Sequence, residues 1–204
     1  MPYLTNVFIN CPFDEEYRPL QKALVFELLY LGLEPRLSRT LSSGHIRIEQ
    51  IKNHIRNSRF GIHDLSRSRA LKKGEYPRFN MPYELGLDIG CKEYGGRKFS
   101  GKRIIILEKE RYHYQKVLSD IAGQDIQNHD DDPQTLIKKI RNWLSENKYR
   151  KILPGPNEIW NAFNQFNSDL INNLSGTYGK KDIKEMPIGD YIKFAKDWIK
   201  NFPR

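Results

Sequence analysis

Glu84 is the residue whose position most strongly indicates chemistry. The segment from Asn80 to Glu84 has the composition of a helix start, with Asn80 as the cap and Pro82 in the first turn. Free amide groups and the helix dipole favour an ionised carboxylate there. We therefore predict that Glu84 acts as a nucleophile or acceptor rather than as an acid. An acid in a first turn can also serve helix stability alone, so that alternative stays open.

Asp64 is the second candidate carboxylate. It comes near the end of an apolar segment, 60–65, that has the pattern of a central strand. Its side chain would position Glu84 or, if the substrate contains a ribose as the family resemblance described below implies, hold a ribose hydroxyl. Asp at a strand end is also an ordinary turn former, which is the structural alternative.

A basic loop lies between these two carboxylates. Segment 65–80 contains five Lys and Arg residues and exceeds the roughly two to six residues usual in α/β connections. Guanidinium groups bind phosphate oxygens bidentately, so Arg67 and Arg78 are predicted to contact a pyrophosphate. Phe13 and Tyr83 could stack on a base. A solvated loop and ordinary rim aromatics are the competing interpretations.

Alternating strand and helix patterns predict how these residues are positioned. Strands are expected at 3–10, 33–38, 60–65, 104–107 and 125–127, with helices between them. This alternation predicts a flavodoxin-like parallel five-stranded sheet, order 2-1-3-4-5, with helices on both faces. We place this α/β domain at 1–150. Residues 151–204 are predicted to be a C-terminal helical extension, packing on the domain or on a second copy.

Ligands bind such sheets at the carboxyl ends of the strands, where the strand order reverses. The segments that meet there follow the first and third strands and begin the next helix. Besides catalytic Glu84 and Asp64, they supply the predicted substrate-binding residues Asn10, Cys11, Pro12, Phe13, Arg67, Arg78, Asn80, Met81 and Tyr83. Cys11 is expected to be a small, partly buried residue there rather than a nucleophile.

Composition limits the remaining function classes. The formal net charge of +9 favours an anionic partner. Two cysteines far apart give no disulfide scaffold, and no apolar run reaches the roughly 18 residues of a membrane span, so we expect a cytoplasmic protein. The histidines lack zinc spacing, and the acids before Pro133 are better explained by a helix start than by a cation, so no metal is predicted.

Three segments together resemble a known group of proteins. They are Phe8-Ile9-Asn10-Cys11-Pro12-Phe13-Asp14, Gly61-Ile62-His63-Asp64-Leu65-Ser66 and Pro77-Arg78-Phe79-Asn80-Met81-Pro82-Tyr83-Glu84-Leu85-Gly86. This combination resembles the nucleoside 2-deoxyribosyltransferase and Toll/interleukin receptor (TIR) group over about residues 3 to 145. In the transferases an Asp ends the third strand and the Glu of a Glu-Leu-Gly helix start attacks the sugar C1′. Asp64 and Glu84 match these positions, whereas Asn80 to Tyr83 differ from the Gly-Thr-Ala-Phe type of the transferases.

The resemblance implies a function. TIR enzymes that cleave NAD use the corresponding Glu, so we expect NAD hydrolysis or cyclisation with release of nicotinamide, in signalling or antiviral defence. NAD would be the substrate, no cofactor is expected, and the protein would assemble as a homo-oligomer. A deoxyribosyltransferase-like enzyme and a non-catalytic nucleotide-sensing or protein-interaction module are the alternatives. Nucleic acid is not expected as a partner, because no stripe of basic and aromatic residues appears in the sequence.

Overall fold

The fold is taken from a computed structural model of the chain. The structure describes residues 2–37, 47–67, 74, 76–110, 118–121 and 126–202. Most of the basic loop, at 68–73 and 75, and most of the weak helix expected over 112–121 lie outside the described residues.

Five parallel strands form one sheet in the order β2-β1-β3-β4-β5, which confirms the predicted topology. The strands are β1 (Asn6–Asn10), β2 (Glu34–Leu37), β3 (Phe60–Asp64), β4 (Arg103–Glu108) and β5 (Gln127–Asn128). Every residue of β1 and β3 is buried, as expected of central strands covered on both faces. In register, Asn10 lies beside His63 and Asp64 beside Leu107, so the strand ends share one edge. We call this the carboxyl edge and the opposite one the amino edge.

Helices cover both faces of the sheet. Those preceding the C-terminal extension are α1 (Pro2–Thr5), α2 (Arg18–Tyr30), α3 (Arg47–Arg56), α4 (Asn80–Tyr94) and α5 (Pro133–Glu146), with short 3-10 turns at Arg97–Phe99 and Ser119–Ile121. α2 and α5 pack together on one face around the largest apolar cluster. α3 and α4 cover the other face.

The C-terminal extension packs on this same chain. It consists of α6 (Pro156–Leu174), α7 (Lys180–Lys184) and α8 (Ile188–Asn201). Phe26 of α2 stacks on Phe166 of α6 at 5.3 Å between ring centroids and lies 5.9 Å from Trp198 of α8. The extension therefore shares its apolar core with the sheet. Of the two alternatives, packing on the domain or on a second copy, the structure shows packing on the α/β domain of the same chain.

Several element boundaries differ from those predicted. Residues 3–5 are helical rather than part of the first strand, and Asp14 lies in a turn in which its carboxylate accepts a hydrogen bond from the Tyr17 amide at 3.0 Å. Asn80 is not a cap: Phe79 holds that position and α4 begins at Asn80, without a side-chain capping bond. α4 continues through Gly86 and Gly90 to Tyr94, because a glycine inside a helix costs only about 1 kcal/mol relative to alanine.

The helix start predicted at Pro133 is confirmed, and the cap of α5 gives a first testable prediction. Asp132 accepts a hydrogen bond from the Thr135 amide at 2.7 Å, and Pro133 occupies the first helical position. That hydrogen bond lowers the pKa of the Asp132 carboxyl. Asp132→Ala should therefore cost about 1 kcal/mol of unfolding free energy. Urea unfolding at neutral pH measures the loss, and the difference from wild type should shrink as acid protonates Asp132. A constant difference would contradict the capping role.

Candidate functional site

Asn10 joins three elements at the carboxyl edge. Its side-chain amide donates to the Met81 carbonyl at 2.9 Å and to His63 Nδ1 at 3.1 Å. All three residues are buried. The end of β1 thus holds the first turn of α4 against β3, and Asn10 and Met81 act as structural links at the point where both were predicted to bind substrate.

A buried chain of polar groups continues from Asn10 beneath α4. Because Asn10 donates to Nδ1 of His63, the other ring nitrogen carries the proton and donates to Asp88 at 3.0 Å. Asp88 also pairs with Lys102 at 2.9 Å, and all three charged or ring side chains are fully buried. Gly61 makes this approach possible, since a Cβ there would collide with the Asp88 carboxylate.

Asp64 is the centre of a second buried network. Its carboxylate accepts hydrogen bonds from the Tyr17 hydroxyl at 2.6 Å, from His129 Nε2 at 2.9 Å and from the Ser66 amide at 2.8 Å. Burial by itself raises the pKa of Asp64, but the hydrogen bonds, above all that from His129, outweigh it and lower the pKa below its ordinary value. Asp64 is therefore a permanently ionised group inside the protein.

The burial of Asp64 shows that its predicted contact with a sugar hydroxyl was wrong. Its side chain is 0% exposed and three donors already surround it, so it cannot reach a ribose hydroxyl. The hydrogen bonds that its carboxylate forms with described residues do not include one with Glu84. Asp64 instead fixes the relative positions of β3, α2 and the segment before α5.

His129 and Ser66 do not form a catalytic triad with Asp64. Nδ1 of His129 accepts from the Asp131 amide at 3.1 Å, which places the ring proton on Nε2. Asp64 and Ser66 both contact that same Nε2, at 2.9 and 3.1 Å. A triad needs the acid and the hydroxyl at opposite ring nitrogens, with a free acceptor facing the hydroxyl. Serine-hydrolase chemistry is therefore not supported at this edge.

Glu84 has a different environment from Asp64. It is the fifth residue of α4, in the second turn, and only 5% of its surface is exposed. Among the described residues its carboxylate forms no hydrogen bond, and the charge that influences its pKa is that of Arg47. Burial raises the pKa of Glu84 to about 6, with Arg47 opposing the shift. The prediction of a first-turn carboxylate with a favoured ionised form was wrong, because desolvation outweighs the helix dipole at this depth.

The thiol of Cys11 is influenced by carboxylates from three different elements. Burial is the main reason that the pKa of its thiol is raised, and the charges of Asp64, Glu84 and Asp14 raise it further. These carboxylates approach the thiol from β3, from α4 and from the turn before α2. The thiol therefore stays protonated, and it is fully buried, whereas a partly buried cysteine was expected. Pro12 beside it is buried, and Phe13 packs half-buried against the core.

The two arginines predicted to bind phosphate are already paired. The buried Arg67 guanidinium contacts Asp14 at 3.3 Å and Glu16 at 3.0 Å. Burial works against its charge, but these acids raise the pKa of Arg67 above its ordinary value. Arg78 is half exposed and lies 3.8 Å from Asp14. Arg67 is thus a structural cation in this state of the protein, and Arg78 has the greater freedom to meet a ligand.

The outer face of the α4 start is aromatic and accessible. Tyr83 is 56% exposed and Phe79 is 70% exposed, one helical turn before it. Asn80 is exposed as well, and because its side chain does not cap the helix, it is available to contact a ligand. Of the predicted base-stacking pair, Tyr83 is largely exposed, whereas Phe13 is partly buried against the core.

The sequence interpretation missed Tyr17, His129, Asp88 and Lys102. A polar residue in an otherwise apolar strand, as in Phe60-Gly61-Ile62-His63-Asp64, was the available signal that buried partners must exist. The partners themselves are 25 to 65 residues away and have no local mark.

Within the described part of the chain, no group of three or more acidic, His or Cys side chains is arranged to hold a metal ion. The described helices include none with the length and apolarity required to cross a membrane. Comparison of the chain with protein-family models, with curated proteins and with solved structures returns no match. The residues of the site are therefore what supports a function for this chain.

Proposed function

We propose that this protein cleaves the N-glycosidic bond of a nucleotide, most favourably NAD, with Glu84 as the catalytic carboxylate. The observation that carries the proposal is the state of Glu84 itself. It is a nearly buried carboxyl at the carboxyl edge, with no hydrogen-bond partner among the described residues and a pKa of about 6. The buried carboxylates of Asp64 and Asp88 have partners. Glu27 is also buried without one among the described residues, but it lies near the end of α2, whereas Glu84 lies at the carboxyl edge.

The chemistry requires a negative charge beside a sugar carbon. When the bond between C1′ and the base nitrogen breaks, its electron pair leaves with the base and positive charge develops at C1′ and the ring oxygen. A desolvated carboxylate stabilises that charge more strongly than a hydrated one. Water then adds to C1′ and releases a proton. Above pH 6 most Glu84 side chains are ionised and able to act in this way.

NAD fits the available groups because its leaving group needs no acid. The nicotinamide ring is cationic in NAD, and the departing electron pair makes it neutral. A neutral purine or pyrimidine must instead be protonated as it leaves. Asp64 is held ionised by three donors and cannot supply that proton. Asp64 and Asn10 are assigned as positioning residues for β3 and α4, respectively.

A deoxyribosyltransferase-like activity is the second candidate, and the state of Arg67 favours it. The guanidinium is already neutralised by Asp14 and Glu16, which leaves less positive charge for a pyrophosphate. A nucleoside without phosphate would not need that charge. Release of nicotinamide from NAD, as against exchange of bases on a deoxynucleoside, distinguishes the two activities.

Signalling or antiviral defence through an NAD product, in a homo-oligomeric assembly, is the biological role that we attach to this proposal, on the resemblance alone. A non-catalytic nucleotide sensor would use the same crevice. In that case Glu84→Gln would leave the biological effect unchanged.

Incubation with NAD at high protein concentration, with nicotinamide followed by chromatography, tests the proposal. The rate under kcat/KM conditions should rise with pH and level off above an apparent pKa of about 6, because only ionised Glu84 is active. Glu84→Ala should abolish release. Equal nicotinamide release by wild type and Glu84→Ala, or a rate that falls as the pH rises through 6, would contradict the assignment.

A further inference from the structure

Five cations gather at the amino edge, on the side of the sheet opposite Glu84. Arg56 ends α3, Arg59 precedes β3, Arg97 and Lys98 form the 3-10 turn, and Arg103 begins β4. The Arg103 amide donates to the Arg59 carbonyl at 3.0 Å, so these two residues are direct neighbours.

Contacts of Lys102 and Tyr3 connect the rest of this group. Nζ of Lys102, just before β4, donates to the carbonyls of Ile55 and Ser58, which flank Arg56. The ring of Tyr3 packs edge-on against Phe99 at 6.4 Å between centroids, and the Tyr3 carbonyl accepts a hydrogen bond from the Arg59 amide at 3.0 Å. Two segments that are distant in sequence, 56–59 and 97–103, therefore present their cations together. We call Arg56, Arg59, Arg97, Lys98 and Arg103 the basic edge.

The charge of the basic edge is not compensated locally. Among the described residues, none of its five members forms an ion pair. The nearby acids are already engaged: Asp88 is buried with His63 and Lys102, and Glu93 pairs with Lys92 at 2.8 Å. The edge thus carries a concentrated share of the net charge of +9.

Aromatic rings accompany these cations. Tyr94, at the end of α4, is 90% exposed and comes three residues before Arg97. Lys98 Nζ lies 5.3 Å from the centroid of the half-buried Phe99 ring. An exposed tyrosine beside a basic surface is the combination that holds single-stranded nucleic acids, through base stacking and phosphate pairing.

We infer that the basic edge binds single-stranded nucleic acid. Arg97 and Lys98 belong to the turn that follows Tyr94, so phosphates and a base can be contacted at the same time. A membrane surface is less well matched, because the edge has no apolar helix to insert, and an acidic peptide would make no use of the exposed ring. This surface is not marked by a continuous stripe of basic and aromatic residues, because its cations come from two separated segments.

Fluorescence anisotropy with a labelled 20-nucleotide single strand tests this inference. Arg97→Gln/Lys98→Gln/Arg103→Gln should weaken binding at least tenfold at low salt. It should also reduce the slope of log K against log salt by about 2, because each of the three lost phosphate contacts accounts for roughly 0.7 of that slope. The matched control is Lys180→Gln/Lys181→Gln/Lys184→Gln, which removes the same charge from α7, a helix held by Arg18 and Lys22 of α2. The control should retain wild-type affinity and slope.

Tyr94→Ala separates stacking from charge. It should weaken single-strand binding about fivefold or more while leaving the salt slope unchanged, because one stacked base contributes about 1 kcal/mol or more. Equal losses in the two triple variants would show that net charge alone is responsible and would overturn the inference. Full affinity after Tyr94→Ala, or stronger capture of anionic phospholipid vesicles by the same cations, would overturn it as well.

Discussion

Glu84→Gln should reduce nicotinamide release by about three orders of magnitude while making the folded protein more stable. The activity is lost because the amide carries no negative charge to oppose the cation at C1′, and removal of one strong electrostatic contact in an active site costs about 10²- to 10³-fold. The geometry is kept, since Gln has nearly the same shape and the carboxylate has no hydrogen-bond partner among the described residues to lose.

The gain in stability follows from the direction of the pKa shift. Burial raises the pKa of Glu84 from 4.5 to about 6, so the folded state binds the proton more tightly than the unfolded state does. The stability associated with the protonated form is present below pH 4.5 and is lost as the pH rises through 6. Above pH 7 the ionised group therefore costs roughly 2 kcal/mol, a cost that the amide avoids. Thermal melting at pH 5 and at pH 8 should show the variant gaining only at the higher pH.

Glu93→Gln is the matched control for this experiment. Glu93 lies on the same helix but is exposed and paired with Lys92 at 2.8 Å. Its replacement should change neither nicotinamide release nor the melting temperature by a measurable amount, as expected of a surface pair. If Glu84→Gln destabilised the protein at pH 8, the carboxylate would have a structural partner and the proposed role would be wrong.

The pattern of strands and helices could be predicted from sequence because each signal is local. The continuous apolar run at Ile104–Leu107 and the 3.6-residue spacing of Ile48, Ile51 and Ile55 predicted β4 and α3, and the strand order followed from topology rules. The convergence of Asn10, Asp64 and Glu84 near one edge followed from the same rules.

The electrostatic state of the site could not be predicted in this way. A shift of the α4 start by one residue moved Glu84 into the second turn, and its burial depends on packing by other elements. The partners of Asp64, namely Tyr17 and His129, are 47 and 65 residues distant. Position along a helix indicates the dipole, whereas desolvation depends on the tertiary fold, and desolvation is the larger effect here.

Lys102→Met should destabilise the protein by about 3–5 kcal/mol, the cost of leaving a buried charge without its partner. The cation contacts Asp88 at 2.9 Å, and both side chains are fully buried. Lys102 also donates to the carbonyls of Ile55 and Ser58, which close the end of α3. Methionine keeps the unbranched apolar stem but removes the charge and its hydrogen bonds. Urea unfolding at pH 7 measures the loss, and Lys98→Met at an exposed position provides the control.

The double variant Lys102→Met/Asp88→Asn separates charge from hydrogen bonding. Neutralising Asp88 removes the unpaired charge, and the amide oxygen can still accept from His63, so at least half of the lost stability should return. The pH dependence gives a second check. Burial alone raises the pKa of Asp88, but His63 and Lys102 outweigh it and lower the pKa, so the pair stabilises the fold above the ordinary pKa of Asp and loses that effect as the pH falls. The deficit of Lys102→Met should therefore shrink in acid. A double variant as unstable as the single one would show that the carbonyl contacts, rather than the ion pair, hold α3 to the sheet.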